Sequence, residues 1–422
     1  MNQYFAGLFN NDFDRDTLKV FLGVVTVGLV NLVCLPVLTR LFTPEVFGQL
    51  QFILACAAVL SVFGTLQYEL AIVLPDDPVK SGHVLVLCVL ILAVVFTIIF
   101  LSGFLFSDSL HELLKPASEL SDLWLIPVLM FTTVLFNLGQ SMLVAAKSFT
   151  RYSMNNVIQT SVFNISAIVG GYVNPVILSL LIGYFLSHTV SSVYALKNQL
   201  ARVIQDFDPA VMKYLVVEYR RFPLVTTTSV LVNTIAMHIP VFLFSAYYGM
   251  EILGLYMISA RILDIPLNLL RGSITQVYFQ AASRAYNRGI NELIAIYKST
   301  QVRLGLMALG VLLTILFLDR WIPAFLGSGW EQTSQIVKVL LVWKLFEFLH
   351  APIGHTWSII KADTIAFVMR LFSIIARFLS IYIFRDDFNS AIVSFSIVSG
   401  LYYLGMNGFL FYLLKRRERC LS

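Results

Sequence analysis

Along this chain apolar residues run for about 20 positions at a time, the length an α-helix needs to cross roughly 30 Å of hydrocarbon. The runs break at short polar or turn-forming stretches such as FTPEVFG at 42–48, LPDDPVK at 74–80 and YVNPV at 172–176. Helical spans are predicted at 17–38, 46–73, 82–106, 122–146, 153–172, 174–195, 222–247, 252–281, 297–318, 335–358, 362–383 and 389–414. Runs of this length exclude the alternating ten-residue segments of an outer-membrane barrel. The fold class expected is therefore an all-α polytopic membrane protein with twelve transmembrane helices.

Composition agrees with the pattern. Of 422 residues, 58% are hydrophobic and only 13% charged, and the mean hydropathy of +0.82 lies far from the soluble range. The opening MNQYFAGLFNNDFDRD lacks the basic start and short apolar core of a cleaved signal, so none is expected. Cys34, Cys56 and Cys88 sit within apolar runs and Cys420 in the basic tail. With no C-x-x-C spacing, neither disulfides nor a metal site are expected.

Basic residues assign the orientation. Eighteen Lys and Arg fall in segments on the side of the N-terminus, whereas only Arg40, Lys115, Arg320 and Arg385 fall on the other. The bias of cytoplasmic loops toward these residues puts both termini in the cytoplasm and calls for an even number of spans. Residues 197–221 form the longest polar link, near the midpoint. The domains expected are an N-terminal lobe at 1–196, an inter-lobe cytoplasmic linker at 197–221, and a C-terminal lobe with a basic tail at 222–422. PEVFGQL at 44–50 parallels MEILGLY at 250–256, each after a span with a proline near its end (Pro36, Pro240). Two six-span repeats of the same orientation follow, related by an axis along the membrane normal.

Seven cations remain inside spans, all in the second half: Arg261, Arg271, Arg303, Lys338, Lys344, Arg370 and Arg377. At roughly 2.5–3.5 kcal/mol for each charge at mid-membrane, the four deepest would cost about 10–14 kcal/mol facing lipid. Arg261, Asp264, Asn268, Arg271 and Thr275 fall within an arc of about 80° on one helix. Arg370 and Arg377 share a face, and Lys344 and Glu347 are one turn apart. Local pairs, Arg261 with Asp264 and Lys344 with Glu347, are the plainer account of part of this set, and Arg303 and Lys338 lie near span ends, where they can snorkel. Beyond the first residues of each span, only Glu69, Asp264 and Glu347 are acidic. The surplus of positive charge calls for an anion, bound by Arg261, Arg271, Arg370, Arg377, Lys344 and Asn268, while the three acids are candidate carriers of H+ or Na+. The first lobe offers amides instead: Asn31, Gln67, Asn137, Gln140, Asn155, Asn156, Gln159 and Asn164. Amides suit sugar hydroxyls and also interhelical hydrogen bonds. Pro266, beside Asp264, is a candidate point of bending.

No enzyme signature accompanies these features. The six histidines show no ligand spacing, and no phosphate-binding Gly-Lys-Ser/Thr loop occurs. The largest extracytoplasmic loop, about 107–121, leaves little room for a catalytic domain. The chain reads as a transporter rather than an enzyme, with no cofactor.

The stretches VNLVCLPVLTRLFTPEVFGQL at 30–50, TLQYELAIVLPDD at 65–77 and GLYMISARILDIPLNLLRGSITQVYFQAASRAYNRG at 254–289 resemble the O-antigen and oligosaccharide flippases (Wzx type) of the polysaccharide exporter family. The resemblance implies two six-helix lobes forming a V around a cavity that opens alternately to each side. It implies a polyprenyl-diphosphate-linked oligosaccharide, undecaprenyl in bacteria, moved from the cytoplasmic to the periplasmic leaflet of the inner membrane for lipopolysaccharide O-antigen or other polysaccharide export. A polysaccharide polymerase and chain-length machinery are the protein partners it implies. Arg261 and Arg271 match the family's cationic cavity positions and Glu69 an acidic one, while Asp264 stands where relatives more often have a small or apolar residue. The rivals are a multidrug antiporter of the same fold, which expels cations and wants an acidic cavity, and a membrane-embedded polymerase or glycosyltransferase, which wants a large charged loop.

Overall fold

The computed structural model describes residues 12–75, 77–105, 124–205 and 208–421. The loop expected at 107–121 lies outside them. The described residues form helices and connecting turns, with no strand among them: α1 (Asp12–Leu41), α2 (Pro44–Gly64), α3 (Pro78–Leu105), α4 (Leu125–Ala145), α5 (Phe149–Val173), α6 (Ile177–Gln205), α7 (Pro209–Glu218), α8 (Thr227–Arg288), α9 (Ile290–Leu318), α10 (Thr333–His350), α11 (Asp363–Ile383) and α12 (Phe388–Leu421). The all-helical membrane fold read from the apolar runs is what the chain adopts.

Nine stretches of the described residues are long and apolar enough to cross a membrane. One of them, Phe222–Gly272, spans 51 residues and is folded at Gly249, whose φ of 81° and ψ of 179° break α8 in two. Glycine takes that conformation without a Cβ clash. The break falls between the spans read from the sequence as 222–247 and 252–281, while Pro266 lies within helical backbone. α5 and α10 fall short of the apolar threshold because one carries amides and the other Lys338, Lys344 and Glu347.

Local chemistry sets the helix ends. Pro44 at the first turn of α2 follows an extended Thr43, and Glu45 complements the positive end of the helix dipole. The helix stops at Gly64 because Leu66 and Gln67 adopt φ of 51° and 62°, after which Tyr68–Val73 forms a 3-10 turn. The second span was read as 46–73; its last residues, Glu69 included, lie beyond the α-helix. At the start of α12 the Asp387 carboxylate accepts from the Asn389 and Ser390 backbone N–H groups and from the Ser390 hydroxyl. Lys147, between α4 and α5, and Lys361, before α11, take matching left-handed φ of 52° and 54°. The sequence places these residues between the fourth and fifth and between the tenth and eleventh of the expected spans.

The chain divides into two compact units, Met1–Gly254 and Leu255–Ser422. The first takes in residues 222–254, which the sequence assigned to the second lobe. Within it the amides bond between helices: Gln140 Nε2 donates to Asn156 Oδ1 at 2.6 Å, Asn164 Nδ2 to Asn31 Oδ1 at 3.3 Å and Gln159 Nε2 to the Ser187 hydroxyl at 3.5 Å. Of the two roles open to them, this is packing. The second unit closes on an apolar core that includes Leu267, Tyr278, Leu293, Phe348, Trp357 and Leu410. Large apolar side chains stand outward, Val33 at 70% and Phe372 at 68% exposure among them, as a lipid-bathed surface requires.

Candidate functional site

A charged cluster forms inside the second unit, on elements whose faces the helical period dictates. The second half of α8 brings Asp264 and Arg271, α10 brings Trp343, Lys344 and Glu347, α11 brings Arg377, and α12 brings Tyr402 and Tyr403. Trp343 and Glu347 are four apart and Lys344 and Glu347 three apart, so one side of α10 carries all three.

Lys344 is the buried centre, 7% exposed. Its ammonium donates to Asp264 Oδ1 at 2.8 Å and lies 3.3 Å from Glu347 Oε2. Glu347 Oε1 in turn stands 3.6 Å from Arg271 Nη2. The pairing of Lys344 with Glu347 is as the spacing suggested. Asp264 engages Lys344 from another helix, because the residues between them fold back to bring this part of α10 against α8. Two carboxylates thus hold Lys344 in place, a geometry that offsets the several kcal/mol each buried charge loses with its hydration.

Arg377 is held differently. Its Cζ lies 5.3 Å from the Tyr402 ring centre, 5.6 Å from that of Tyr403 and 5.9 Å from that of Trp343, with the Trp343 ring also 4.5 Å from the Lys344 ammonium. Ring faces attract a desolvated guanidinium but accept no in-plane hydrogen bond from it. Nε and Nη2 of Arg377, Nε and Nη2 of Arg271 and Nε1 of Trp343 are all buried without an acceptor. No described carboxylate pairs with Arg377. Three cations meet two carboxylates, for a net charge of +1, and the donors left over are directional. Such an arrangement suits an oxyanion, which guanidinium forks bind with two parallel bonds.

Asn268 and Arg370 are exposed, on α8 and α11, and Arg261 is half-buried on α8. Glu69 belongs to the first unit, where it accepts a hydrogen bond from Thr65. Lys338, expected to snorkel, pairs with Asp319 at 2.6 Å, since the turn after α9 returns that carboxylate to the start of α10. Arg303 is exposed. Among the described residues no group of His, Cys, Asp and Glu could hold a metal ion. Sequence reasoning missed Trp343, Tyr402 and Tyr403, which look like ordinary apolar filling; the signal available was the adjacency of Trp343 to Lys344 and the Tyr402-Tyr403 pair opposite a helix with an unmatched arginine.

Comparison with known proteins places the chain. Residues 37–335 match the family model Polysacc_synt_3, described as polysaccharide biosynthesis protein; Asp264 and Arg271 lie within the match, Lys344, Glu347 and Arg377 beyond it. The succinoglycan biosynthesis transport protein ExoT of Rhizobium meliloti (strain 1021) is 24% identical over 328 residues, 76% of this chain and 63% of that protein's length. This chain therefore spans less than two thirds of that relative. The fold matches the lipid II flippase MurJ in an inward closed conformation (TM-score 0.70, 13% identity, 94% of this chain and 90% of that one). It also matches an inward-facing multidrug resistance MATE family transporter of the MOP superfamily (TM-score 0.69, 13% identity, 94% and 95%). A third match is a MOP superfamily transporter from Pyrococcus furiosus described as having a binding pocket of reverse polarity (TM-score 0.59, 17% identity, 97% and 98%). With 299 of its residues covered by one family model and a fold like that of these exporters along nearly its whole length, the chain belongs to the polysaccharide biosynthesis protein family and has a multi-pass helical membrane fold.

Proposed function

We propose that this protein flips a polyprenyl-diphosphate-linked oligosaccharide from the cytoplasmic to the periplasmic leaflet of a bacterial inner membrane. The observation that carries the reading is the set of buried guanidinium and indole donors of Arg271, Arg377 and Trp343 that lack acceptors beside a net positive cluster. A diphosphate brings the missing acceptors and the compensating charge. Arg377 and Arg271 grip it, whereas Lys344, already engaged by Asp264 and Glu347, holds α8 and α10 in register. Glu347 competes with the substrate for Arg271: the 3.6 Å pair is loose, and a diphosphate oxygen at hydrogen-bond distance replaces it. The freed carboxylate then takes up a proton or cation, which couples transport to an ion gradient through Glu347 and Asp264. Alternating access exposes the site to each leaflet in turn, and the lipid tail stays in the bilayer throughout. Arg261, Arg370 and Asn268 extend the cationic lining along α8 and α11, and Glu69 is a second candidate for ion coupling. O-antigen or another exported polysaccharide is the end use, with the polymerase and chain-length machinery as downstream partners.

A multidrug antiporter is the rival reading, and the excess of cations over carboxylates opposes it, because such a protein must bind cations. The deciding experiment reconstitutes the purified protein in vesicles that carry a fluorescent polyprenyl-diphosphate oligosaccharide in both leaflets. Loss of the protected inner pool to an external quencher, dependent on Arg271 and Arg377, is the expected result. A pool that stays protected while a cationic dye is transported would replace this reading with the rival one.

A further inference from the structure

The linker helix α7 offers a surface that transport of a substrate does not use. It is fixed to the first unit at three points. The His83 ring accepts the Asp208 N–H at Nε2 (2.9 Å), the Tyr68 hydroxyl donates to the Val216 carbonyl (3.1 Å), and Leu215 is buried. Asp208 also caps the helix by accepting from the Ala210 N–H at 2.8 Å, so the outward face of α7 is set by the body of the protein. On that face stand Ala210, Tyr214 and Val217, at i, i+4 and i+7, turned away from Leu215. Tyr214 is 60% and Val217 57% exposed.

Basic residues border this apolar face. Lys213 lies beside it, and the exposed Arg220 and Arg221 follow within one turn, leading into Leu224 and Val225, also exposed, at the entry to α8. Glu218 is the acid among them. The basic-loop bias assigns this segment to the cytoplasmic side, where the leaflet carries anionic lipid. A helix with an amphipathic tyrosine, valines and flanking Lys and Arg has the character of one that lies in the headgroup region rather than in water.

We propose that α7 is an in-plane anchor that binds the anionic headgroups of the cytoplasmic leaflet, with Tyr214 and Val217 below the headgroups and Lys213, Arg220 and Arg221 on the lipid phosphates. Because Tyr68 and His83 hold it, the anchor fixes the depth of the first unit in the bilayer as well as its own.

The test uses the full chain with Cys34, Cys56, Cys88 and Cys420 replaced by alanine and a nitroxide attached at Tyr214→Cys or, as an independent second site, Val217→Cys. The protein is reconstituted in vesicles of phosphatidylethanolamine alone or mixed with phosphatidylglycerol, and collision of the label with oxygen is compared with collision with a water-soluble nickel chelate. Oxygen-favoured collision at both sites in the mixed vesicles is expected. It should weaken without phosphatidylglycerol and weaken in the variant Lys213→Gln/Arg220→Gln/Arg221→Gln, by roughly fivefold per charge in the ratio of embedded to exposed label. Chelate access at both sites equal to that of a label at Asn291→Cys, an exposed position expected on the same side, would show a water-facing helix and overturn the proposal. Oxygen-favoured collision that ignores both lipid charge and the triple variant would overturn the headgroup recognition.

Discussion

Gly48 and Gly254 lie back to back: the place where a Cβ would stand on either is 3.0 Å from the other's backbone nitrogen. Such a Cβ on Gly48 would also strike the Met250 carbonyl, and one on Gly254 the Pro44 carbonyl. The contact is reciprocal: PEVFGQL and MEILGLY, which match in sequence, place Pro44 against Gly254 and Met250 against Gly48. Backbone cannot swing aside as a flexible side chain does. Gly48→Ala and Gly254→Ala should each lower stability by about 1–3 kcal/mol, the usual cost of overpacking, measured as a fall in thermal unfolding temperature in detergent. Gly310→Ala, with no atom within 4 Å of the added Cβ, should leave it unchanged or slightly raised.

Lys344 is a structural cation in this arrangement. Replacing it with methionine strands Asp264 and Glu347 in a poorly solvated site, which should destabilise the protein by about 3–5 kcal/mol. Lys344→Met combined with Asp264→Asn should recover a large part of that loss. Unfolding measurements on the two single variants and the double variant check the coupling; purely additive effects would contradict a shared ion pair.

Arg377 should behave in the opposite way. Arg377→Ala removes two donors without a protein acceptor, Nε and Nη2, and three ring contacts, so the loss of stability should be small beside the loss of binding: affinity for a polyprenyl diphosphate should weaken roughly tenfold to a hundredfold, the worth of one hydrogen bond to a charged group. Arg377→Lys should restore only part of the affinity, since an ammonium lacks the planar fork that both stacks on Trp343, Tyr402 and Tyr403 and binds in two-pronged fashion.

Glu347→Gln should tighten binding of the same ligand. The substitution removes the carboxylate that competes for Arg271 and leaves net positive charge near the site. Transport, in contrast, should lose its response to an imposed proton gradient. Equilibrium binding and vesicle flipping measured on one preparation separate these effects.

Asp387 supplies a pH-dependent contribution outside the membrane. Hydrogen bonds from the Ser390 hydroxyl and backbone hold its carboxyl below the usual carboxylate range. A carboxyl lowered in the folded state contributes stability that is fully present above its unfolded pKa and is lost as pH falls through the folded one. Asp387→Ala should therefore fray the start of α12 near neutral pH, and the difference from wild type should vanish at strongly acid pH, as followed by amide hydrogen exchange.

The sequence alone determined that the chain is a bundle of membrane helices and that its second half carries buried charge. Length of apolar run, loop charge and helical periodicity are local quantities, and a bilayer penalises each unpaired backbone group so strongly that local length suffices. Only tertiary structure decided which carboxylate meets which cation. Asp264 bonds Lys344, eighty residues away, because the approach of α8 to α10 sets distances that no spacing along the chain encodes. The aromatic box around Arg377 was hidden for the same reason: Trp343, Tyr402 and Tyr403 are apolar filling by composition and become a cation site only where three helices converge.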